Sequence, residues 1–263
     1  KLNLYRVEFV GNGTCVFGSQ KSDIKIDSCR FEKNVGSRAG AITNNGTLLV
    51  RNTYFDRCNT VYYGGAIICQ KGSHAEIENC TFDSCSAEGG SAVALMGDCS
   101  VRSTNSTYVH NALPVMTDMS SNCICELYNN TMLSNNIAGS QVVYYSNNPK
   151  LTMIGNVIES IFVRGSSDNV TSRDNIIMCD LSSMGSAFSS MNDEDFISIK
   201  TSDCPQIFDG EFDSKNDKFN ASLKYNGGYT PTVALMANEL PDGTSIRFPR
   251  LDDVLTDQRG VER

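Results

Sequence analysis

An imperfect repeat runs through most of this 263-residue chain and constrains its fold more than any other feature. The clearest unit is residues 79–85, Asn-Cys-Thr-Phe-Asp-Ser-Cys, followed by a Gly-Gly pair at residues 89–90. Each unit has one aromatic or apolar anchor, and successive anchors are 22, 24, 27, 26, 24 and 26 residues apart. Self-similarity at such periods predicts a solenoid, in which each unit buries its inner face against its neighbours. The anchors are Phe9, Phe31, Phe55, Phe82, Tyr108, Met132 and Ile158.

Apolar residues within a unit alternate, as they do on a half-buried strand rather than on a helix. Ile24 and Ile26 precede one anchor, and Leu151 and Met153 precede another. Leucine-rich repeats have overlapping periods, but they need a Leu-dense consensus that this chain lacks. We therefore predict an all-β protein, a right-handed parallel β-helix, with coils over residues 1–180 and longer turns at 15–20 and 114–122.

The composition changes after residue 180 to Ser, Met and acidic residues. This change predicts irregular loops over residues 180–225. A solenoid must cover its open end, so residues 181–263 are expected to form the last coils and a cap.

Two columns of small or polar residues accompany the anchors. Such residues would stack on successive rungs about 4.8 Å apart, where an Asn can hydrogen-bond to the backbone and to its neighbours in the column. The column three residues after the anchors contains Asn12, Asn34, Cys58, Cys85, Asn111 and Asn135, and the column two residues before them contains Cys29, Thr53, Cys80, Ser106 and Asn130.

The eleven cysteines are odd in number, and several occupy these columns, so most are predicted to be buried free thiols. A disulfide between neighbouring rungs, such as Cys58 with Cys85, stays open because the rung spacing falls within the allowed Cα separation. Cys123 and Cys125 have the wrong spacing for a zinc knuckle and no nearby His.

Charge and hydropathy exclude several classes of partner. The formal net charge of −8 argues against nucleic acid and anionic membranes. No run of about 18 apolar residues exists to span a bilayer. We expect a monomer at the cell surface or outside the cell, whose signal or anchor region lies outside this chain.

Two blocks near the end carry a family resemblance. Residues 226–235 (Asn-Gly-Gly-Tyr-Thr-Pro-Thr-Val-Ala-Leu) and 256–261 (Thr-Asp-Gln-Arg-Gly-Val) resemble the signature blocks of the choice-of-anchor Q domain of secreted bacterial β-helix proteins. The coils before them resemble the pectate-lyase-like superfamily and the polymorphic outer-membrane protein repeat. This chain departs from the family pattern at residues 237–243, which lack the motif Gly-Ser-Pro-Ala-Ile-Asp-Ala-Gly that the family often has between its two blocks. The resemblance implies a surface-attached or secreted bacterial protein.

Acidic residues supply the candidate sites. Glu32, Asp56 and Asp83 each follow an anchor and would form a stripe on three rungs, with Lys33 and Arg57 beside it. Like charges about 5 Å apart repel unless cations offset them, so this stripe is where a Ca²⁺ or catalytic site would lie. A second concentration able to bind Ca²⁺ contains Asp209, Glu211, Asp213 and Asp217, and the pair Asp252 and Asp253 lies in the expected cap.

The remaining candidates have ordinary structural interpretations. His74 and His110 are expected to be surface residues in or next to turns, without a nucleophile to pair with. Strand propensity explains the pairs Tyr62-Tyr63 and Tyr144-Tyr145 better than a platform for sugar rings does. Glycosylation sequons begin at Asn12, Asn45, Asn79, Asn105, Asn129, Asn169 and Asn220. Turn chemistry better explains those that fall in repeat columns.

The repeat specifies an architecture and leaves several functions open. We expect a non-enzymatic protein that binds glycan or another surface, with no catalytic or cofactor-binding residue assigned and no cofactor required. The alternatives are a lyase or hydrolase of acidic polysaccharide and a structural spacer. A cleft in which at least three acids and one Arg or Lys converge on a strand face would favour the enzyme.

Overall fold

The computed structural model describes residues 1–112, 114–118, 122–135, 142–145, 147–191 and 195–237, together with Glu239, Gly243, Ser245 and Gln258. Three long parallel sheets of eight, nine and seven strands form the faces of a β-helix in these residues. The predicted all-β fold is confirmed. In each full coil the chain forms one strand of the first sheet, then one of the second and then one of the third. Each strand pairs with the equivalent strand of the next coil.

The strands are three to five residues long in most coils. The first sheet contains Leu2–Tyr5, Asp23–Asp27, Thr47–Arg51, His74–Glu78, Ser100–Thr104, Ile124–Tyr128, Lys150–Ile154 and Val170–Arg173. The second contains Glu8–Val10, Arg30–Glu32, Tyr54–Asp56, Thr81–Asp83, Thr107–Val109, Thr131–Leu133, Val157–Ile158, Asn175–Ile177 and Phe196–Ser198. The third contains Val16–Gly18, Ile42–Asn44, Ile67–Cys69, Val93–Leu95, Met116–Asp118, Val143–Tyr145 and Ile161–Val163.

Shorter elements lie at the corners and in the terminal segment. Val35–Gly36 pairs with Asn59–Thr60, and two antiparallel pairs join Gly210–Asp213 to Lys218–Ala221 and Leu223–Lys224 to Thr232–Val233. One α-helical turn spans Cys204–Ile207. Short 3-10 turns span Ser167–Asn169, Leu181–Ser183, Ser186–Phe188 and Thr201–Asp203.

The anchors superpose in the second sheet as predicted. Phe31, Phe55 and Phe82 are fully buried, pair in register and stack with ring centroids 5.0 and 4.7 Å apart. Phe9 and Tyr108 extend the stack at 4.8 and 4.7 Å. The column continues through the predicted anchors Met132 and Ile158 to Ile177.

Hydrogen-bonded ladders of side chains support both predicted polar columns. In the column after the anchors, the backbone N–H of Cys85 donates to Asn111 Oδ1 at 2.9 Å, and that of Asn111 donates to Asn135 Oδ1 at 3.1 Å. In the column before them, the backbone N–H of Ser106 donates to Asn130 Oδ1 at 3.0 Å, and that of Asn130 donates to Asn156 Oδ1 at 2.9 Å. These side chains satisfy backbone groups that the corners remove from the sheets.

Glycine pairs allow neighbouring corners to approach closely between the second and third sheets. A Cβ on Gly65 would lie 2.0 Å from the carbonyl oxygen of Ser91, a clash that no side chain tolerates. Gly64 has a φ of +72°, a left-handed conformation that is strained for other residues. The repeated Gly-Gly therefore reflects the stacking of one coil on the next.

Three local predictions were wrong. Residues 15–20 are not one long turn, because Val16–Gly18 is the edge strand of the third sheet. Met116–Asp118 is a strand of the same sheet and interrupts the turn expected at 114–122, although residues 119–121 lie outside the described residues. The segment 180–225 is not irregular throughout, since it contains Phe196–Ser198 of the second sheet and an antiparallel hairpin. These segments form strands because backbone hydrogen bonding to the edge of an existing sheet outweighs a weak local sequence preference for a turn or loop.

The terminal segment adds residues to the core of the β-helix and returns along its side. Met184, Phe188 and Phe196 are buried in the main core, where the two Phe rings meet edge to face with centroids 5.8 Å apart. Residues 199–233, here called the arm, pack on the outer face of the second sheet. Their apolar contacts with that sheet bury Leu133, Val157, Ile176, Ile199, Cys204, Ile207, Phe208, Phe219 and Ala221. The division at residue 180 stays a prediction.

All eleven cysteines are free thiols, and nine are buried. Cys15 and Cys179 are half-buried. The Sγ atoms of Cys58 and Cys85 contact backbone carbonyl oxygens of the preceding rungs. Burial raises the pKa of Cys80 and Cys125 to about 12, so few of these groups ionise at neutral pH.

Candidate functional site

The three acids of the predicted stripe lie side by side on the outer face of the second sheet. Glu32 pairs in register with Asp56, and Asp56 with Asp83. Their side chains point away from the stacked anchors because neighbouring residues on a strand face opposite sides. Two arginines, Arg30 and Arg57, reach the same surface. We call these five residues, with Lys33, Tyr54 and His110, the charged patch.

Arginines and a lysine neutralise the first two acids. Arg57 donates through Nε to Asp56 Oδ1 at 2.9 Å and through Nη2 to Glu32 at 3.3 Å. Arg30 Nη2 lies 3.0 Å from Glu32 and 3.6 Å from Asp56. The hydrogen bond from Lys33, with the charge of Arg30, lowers the pKa of Glu32. Like-charge repulsion along the stripe is thus offset by cations of the chain itself.

The third acid is held by hydrogen bonds from three side chains. Asp83 accepts from Tyr54 Oη at 2.9 Å, from Ser84 Oγ at 2.9 Å and from His110 Nδ1 at 2.9 Å. Burial alone would raise the pKa of Asp83, but the bond from His110 and those from the hydroxyls outweigh it and lower the pKa. Conversely, the hydrogen bond to Asp83 raises the pKa of His110. Asp83 is therefore an anion at neutral pH.

Binding suits this geometry better than proton transfer. General acid–base chemistry works best with a group whose pKa lies near the operating pH and that can reach the reacting atom. The pKa of Glu32 and of Asp83 is lowered, and the carboxylate of Asp56 is covered by Arg57, leaving its side chain 6% exposed. The guanidinium group of Arg30 lies over the Tyr54 ring at 5.1 Å, which fixes both groups.

The second acidic cluster does not converge. Asp209 pairs with Lys224 Nζ at 2.7 Å, whereas Asp213 accepts from the backbone of Lys215 at 3.0 Å. Glu211 is exposed on the hairpin strand. Among the described residues, no group of three or more His, Cys, Asp or Glu side chains is placed to hold a metal ion. Asp252 and Asp253 lie outside the described residues.

Comparison with known proteins identifies the architecture. The family described as "Right handed beta helix region" matches residues 2–178. This chain belongs to the right-handed β-helix family. No curated protein matches it significantly. The solved structure of QnrB1, a plasmid-mediated fluoroquinolone resistance protein, aligns over 76% of this chain and 92% of that chain, at 10% identity and a TM-score of 0.30. The family match ends before residues 226–261, so their resemblance to the choice-of-anchor Q domain stays a prediction.

The histidines, tyrosines and sequon residues considered from the sequence lie at separate places in this β-helix. His74 opens a strand of the first sheet and bonds Ser100 at 2.8 Å. Tyr62 is exposed at a corner, whereas Tyr145 is buried with its hydroxyl 2.8 Å from Cys125 Sγ. Tyr144 faces outward and stacks on Phe162 at 5.4 Å. The sequon residues Asn79, Asn105 and Asn129 have φ values of 53°, 50° and 54°, as turn chemistry predicts.

The sequence did not single out three residues that take part in the interactions of the second sheet and its corner. Arg30 and Tyr54 occupy the outward position two residues before the stripe acids, so strand alternation was a signal for both. Glu159 continues the amide ladder, accepting from the Asn135 backbone N–H at 3.0 Å. Glu159 directly follows its anchor Ile158, whereas the other members of this column lie three residues after theirs, because the corner is shortened there. Glu159 therefore does not share the sequence spacing of the other residues in this column.

The two terminal blocks meet on one spot of the second sheet. Gln258 Nε2 lies 3.0 Å from each of three acceptors, the carbonyl oxygen of Cys80, Thr81 Oγ1 and Thr230 Oγ1, which share its two N–H groups. Thr107 Oγ1 donates to Gln258 Oε1 at 2.6 Å. Thr230 of the first block and Gln258 of the second, 28 positions apart in the chain, thus meet on the outer face beside the charged patch. The other residues of 256–261 lie outside the described residues.

Proposed function

We propose that this β-helix is a non-enzymatic binding protein that presents the charged patch to a glycan, as a secreted or surface-attached bacterial protein of the choice-of-anchor Q type. The observation that carries the proposal is the fixed, mutually neutralised array of Arg30, Glu32, Asp56 and Arg57. Side chains held by one another lose little freedom when a ligand binds, which reduces the entropic cost of association.

The charges of the patch favour a neutral polar ligand. Glu32, Asp56 and Asp83 face Arg30, Arg57 and Lys33, so the formal charges cancel before His110 is counted. Sugar hydroxyls both donate and accept, and guanidinium and carboxylate groups side by side match such pairs. Lys33 and Arg57 are the accessible cations, with side chains 55% and 51% exposed. A polyanion would have to displace the carboxylates from them.

A glycan array followed by calorimetry tests this proposal. Replacing Arg57 by Ala (Arg57→Ala) should weaken binding by roughly tenfold, because one exposed charged contact is lost and Asp56 is left unpaired. Arg173→Ala is the matched control, since Arg173 is exposed on the first sheet and pairs only locally with Asp174 at 3.1 Å. Absence of any glycan ligand, or equal effects of both variants, would overturn the proposal.

A polysaccharide lyase or hydrolase is the second candidate. One observation favours it, since three acids and two arginines converge on one strand face, the arrangement expected of such an enzyme. Pectate, alginate and hyaluronan should be assayed with and without Ca²⁺ for unsaturated products and reducing ends. We expect no turnover; turnover that disappears in Asp56→Asn would establish the enzyme instead.

A further inference from the structure

His110 joins the charged patch to the arm. Its Nδ1 lies 2.9 Å from Asp83 Oδ1, and its Nε2 lies 3.3 Å from the carbonyl oxygen of Ala221. Both partners only accept hydrogen bonds, whereas a neutral imidazole carries a single N–H. Only the doubly protonated imidazolium satisfies both contacts. The geometry itself therefore requires a proton at this position.

Glu159 lies beneath the same part of the arm. It is 6% exposed, one carboxyl oxygen accepts from the Asn135 backbone, and the other has no hydrogen-bond partner among the residues that the structure describes. The neighbouring Ser134 hydroxyl donates to the Phe219 carbonyl at 2.7 Å and accepts from the Ala221 backbone N–H. An ionised carboxylate with one bare oxygen costs far more free energy in such a place than a neutral, protonated one. Docking of the arm thus also favours a proton here.

We propose that His110 and Glu159 form an acid-dependent latch that holds the arm on the second sheet and loosens as the pH rises through neutrality. His110 contacts the arm at Ala221, and Glu159 is buried beneath the arm near Lys218 and Cys204. The contacts of His110 and the burial of Glu159 both favour the protonated form, so the two groups respond to pH in the same direction.

The direction follows from the titration of both groups. Contact with Asp83 raises the pKa of His110, so its stabilisation is complete below the ordinary value and is lost as the pH rises through the raised value. Burial raises the pKa of Glu159 from 4.5 to about 7, so docking is progressively weakened between those two values.

Three further ionisable groups face the latch. Asp83 favours the charged His110, whereas Lys218 on the arm strand opposes it. Lys218 also favours ionised Glu159, but burial outweighs it. Cys204 lies near Glu159 from the helical turn of the arm, and its own pKa is raised to about 12, chiefly by burial, so it stays neutral. None of the three reverses the direction.

The latch would regulate the charged patch, a consequence that rests on the proposed function. Deprotonated His110 would no longer donate to both partners, so the arm would loosen where it borders the patch. Thr81 lies on the same strand and face as Asp83, and Thr107 pairs with Thr81 in the next coil. The terminal blocks contact both threonines, through Pro231 and Gln258. Release of the arm would lengthen the surface available to a glycan chain at neutral pH.

Hydrogen exchange of the intact chain tests the latch without any ligand. Protection factors of Lys218–Ala221, corrected for intrinsic exchange, should fall by roughly tenfold or more between about pH 5.5 and about pH 8.5. Strand His74–Glu78 of the first sheet reports the fold and should change little. A separate glycan array tests the proposed function. Failure of the latch proposal can therefore be distinguished from failure of the glycan-binding proposal.

Two variants assign the effect. Glu159→Gln keeps the shape but cannot ionise, so most of the fall should disappear. His110→Gln should lower protection at about pH 5.5 several-fold and flatten the remaining dependence. His74→Gln is the matched control and should retain the wild-type profile. Arm protection constant within about twofold across this range, or wild-type profiles in both test variants, would overturn the latch. If Glu159→Gln does not fold, His110→Gln decides alone.

Discussion

Truncation of Phe55 tests whether the aromatic column is the main support of the second sheet. Phe55 is fully buried, with Phe31 at 5.0 Å on one side and Phe82 at 4.7 Å on the other, and interplanar angles of 7° and 4°. Phe55→Ala removes both stacking contacts and opens a cavity that the neighbouring rungs cannot close, since their spacing is set by backbone hydrogen bonds.

We expect a loss at the upper end of the range for aromatic truncation in a core, about 4 to 5 kcal/mol. Phe9→Ala is the matched variant, because Phe9 is half-buried and stacks on one ring only, at 4.8 Å. Its loss should be about half as large, roughly 2 kcal/mol. Tyr62→Ala, at an exposed corner, should change stability by less than about 0.5 kcal/mol.

Urea unfolding followed by far-UV circular dichroism measures these differences. Because neighbouring coils of a solenoid can unfold separately, the midpoint and slope should be compared between variants before a free energy is assigned. A loss below about 1 kcal/mol for Phe55→Ala, or equal losses for Phe55→Ala and Phe9→Ala, would refute the stacked-column account.

Three further predictions test the ladders, the thiols and the terminal blocks. Asn130→Ala leaves the buried Ser106 N–H without its acceptor and should lower the free energy of unfolding in urea by about 2 to 4 kcal/mol. Asn216→Ala, at the exposed hairpin turn, should lower it far less. Equal losses in the two variants would contradict the ladder. Thiol titration of the denatured protein without reductant should find all eleven cysteines, and fewer than seven would indicate disulfides instead. Gln258→Ala removes the amide that contacts Cys80, Thr81 and Thr230, and it should raise hydrogen exchange in Thr232–Val233 by roughly tenfold. Gln206→Ala, at an exposed position of the arm, should not. An unchanged rate in Gln258→Ala would mean that the terminal blocks do not hold the arm.

The period of the sequence by itself determined the coil architecture. A residue that recurs once per coil meets its equivalents on the neighbouring rungs, so Phe31, Phe55 and Phe82 had to stack once the chain formed a parallel β-helix. The same argument predicted the Asn111 and Asn135 ladder and the acidic stripe. Each of these features depends on contacts between residues at equivalent positions, which spacing in the sequence specifies.

Only the tertiary structure decided what lies against the outer face. Arg30, Tyr54 and His110 neutralise or bind the stripe acids from different coils, and their reach depends on side-chain conformation rather than spacing. The arm returns along the second sheet and places Ala221 beside His110, and the second terminal block places Gln258 beside Cys80, each more than 100 positions earlier in the chain. Such contacts leave no period in the sequence, because the arm meets the helix once and does not repeat. The physical reason is that its docking depends on burial and hydrogen bonding between distant segments, which only the folded chain brings together.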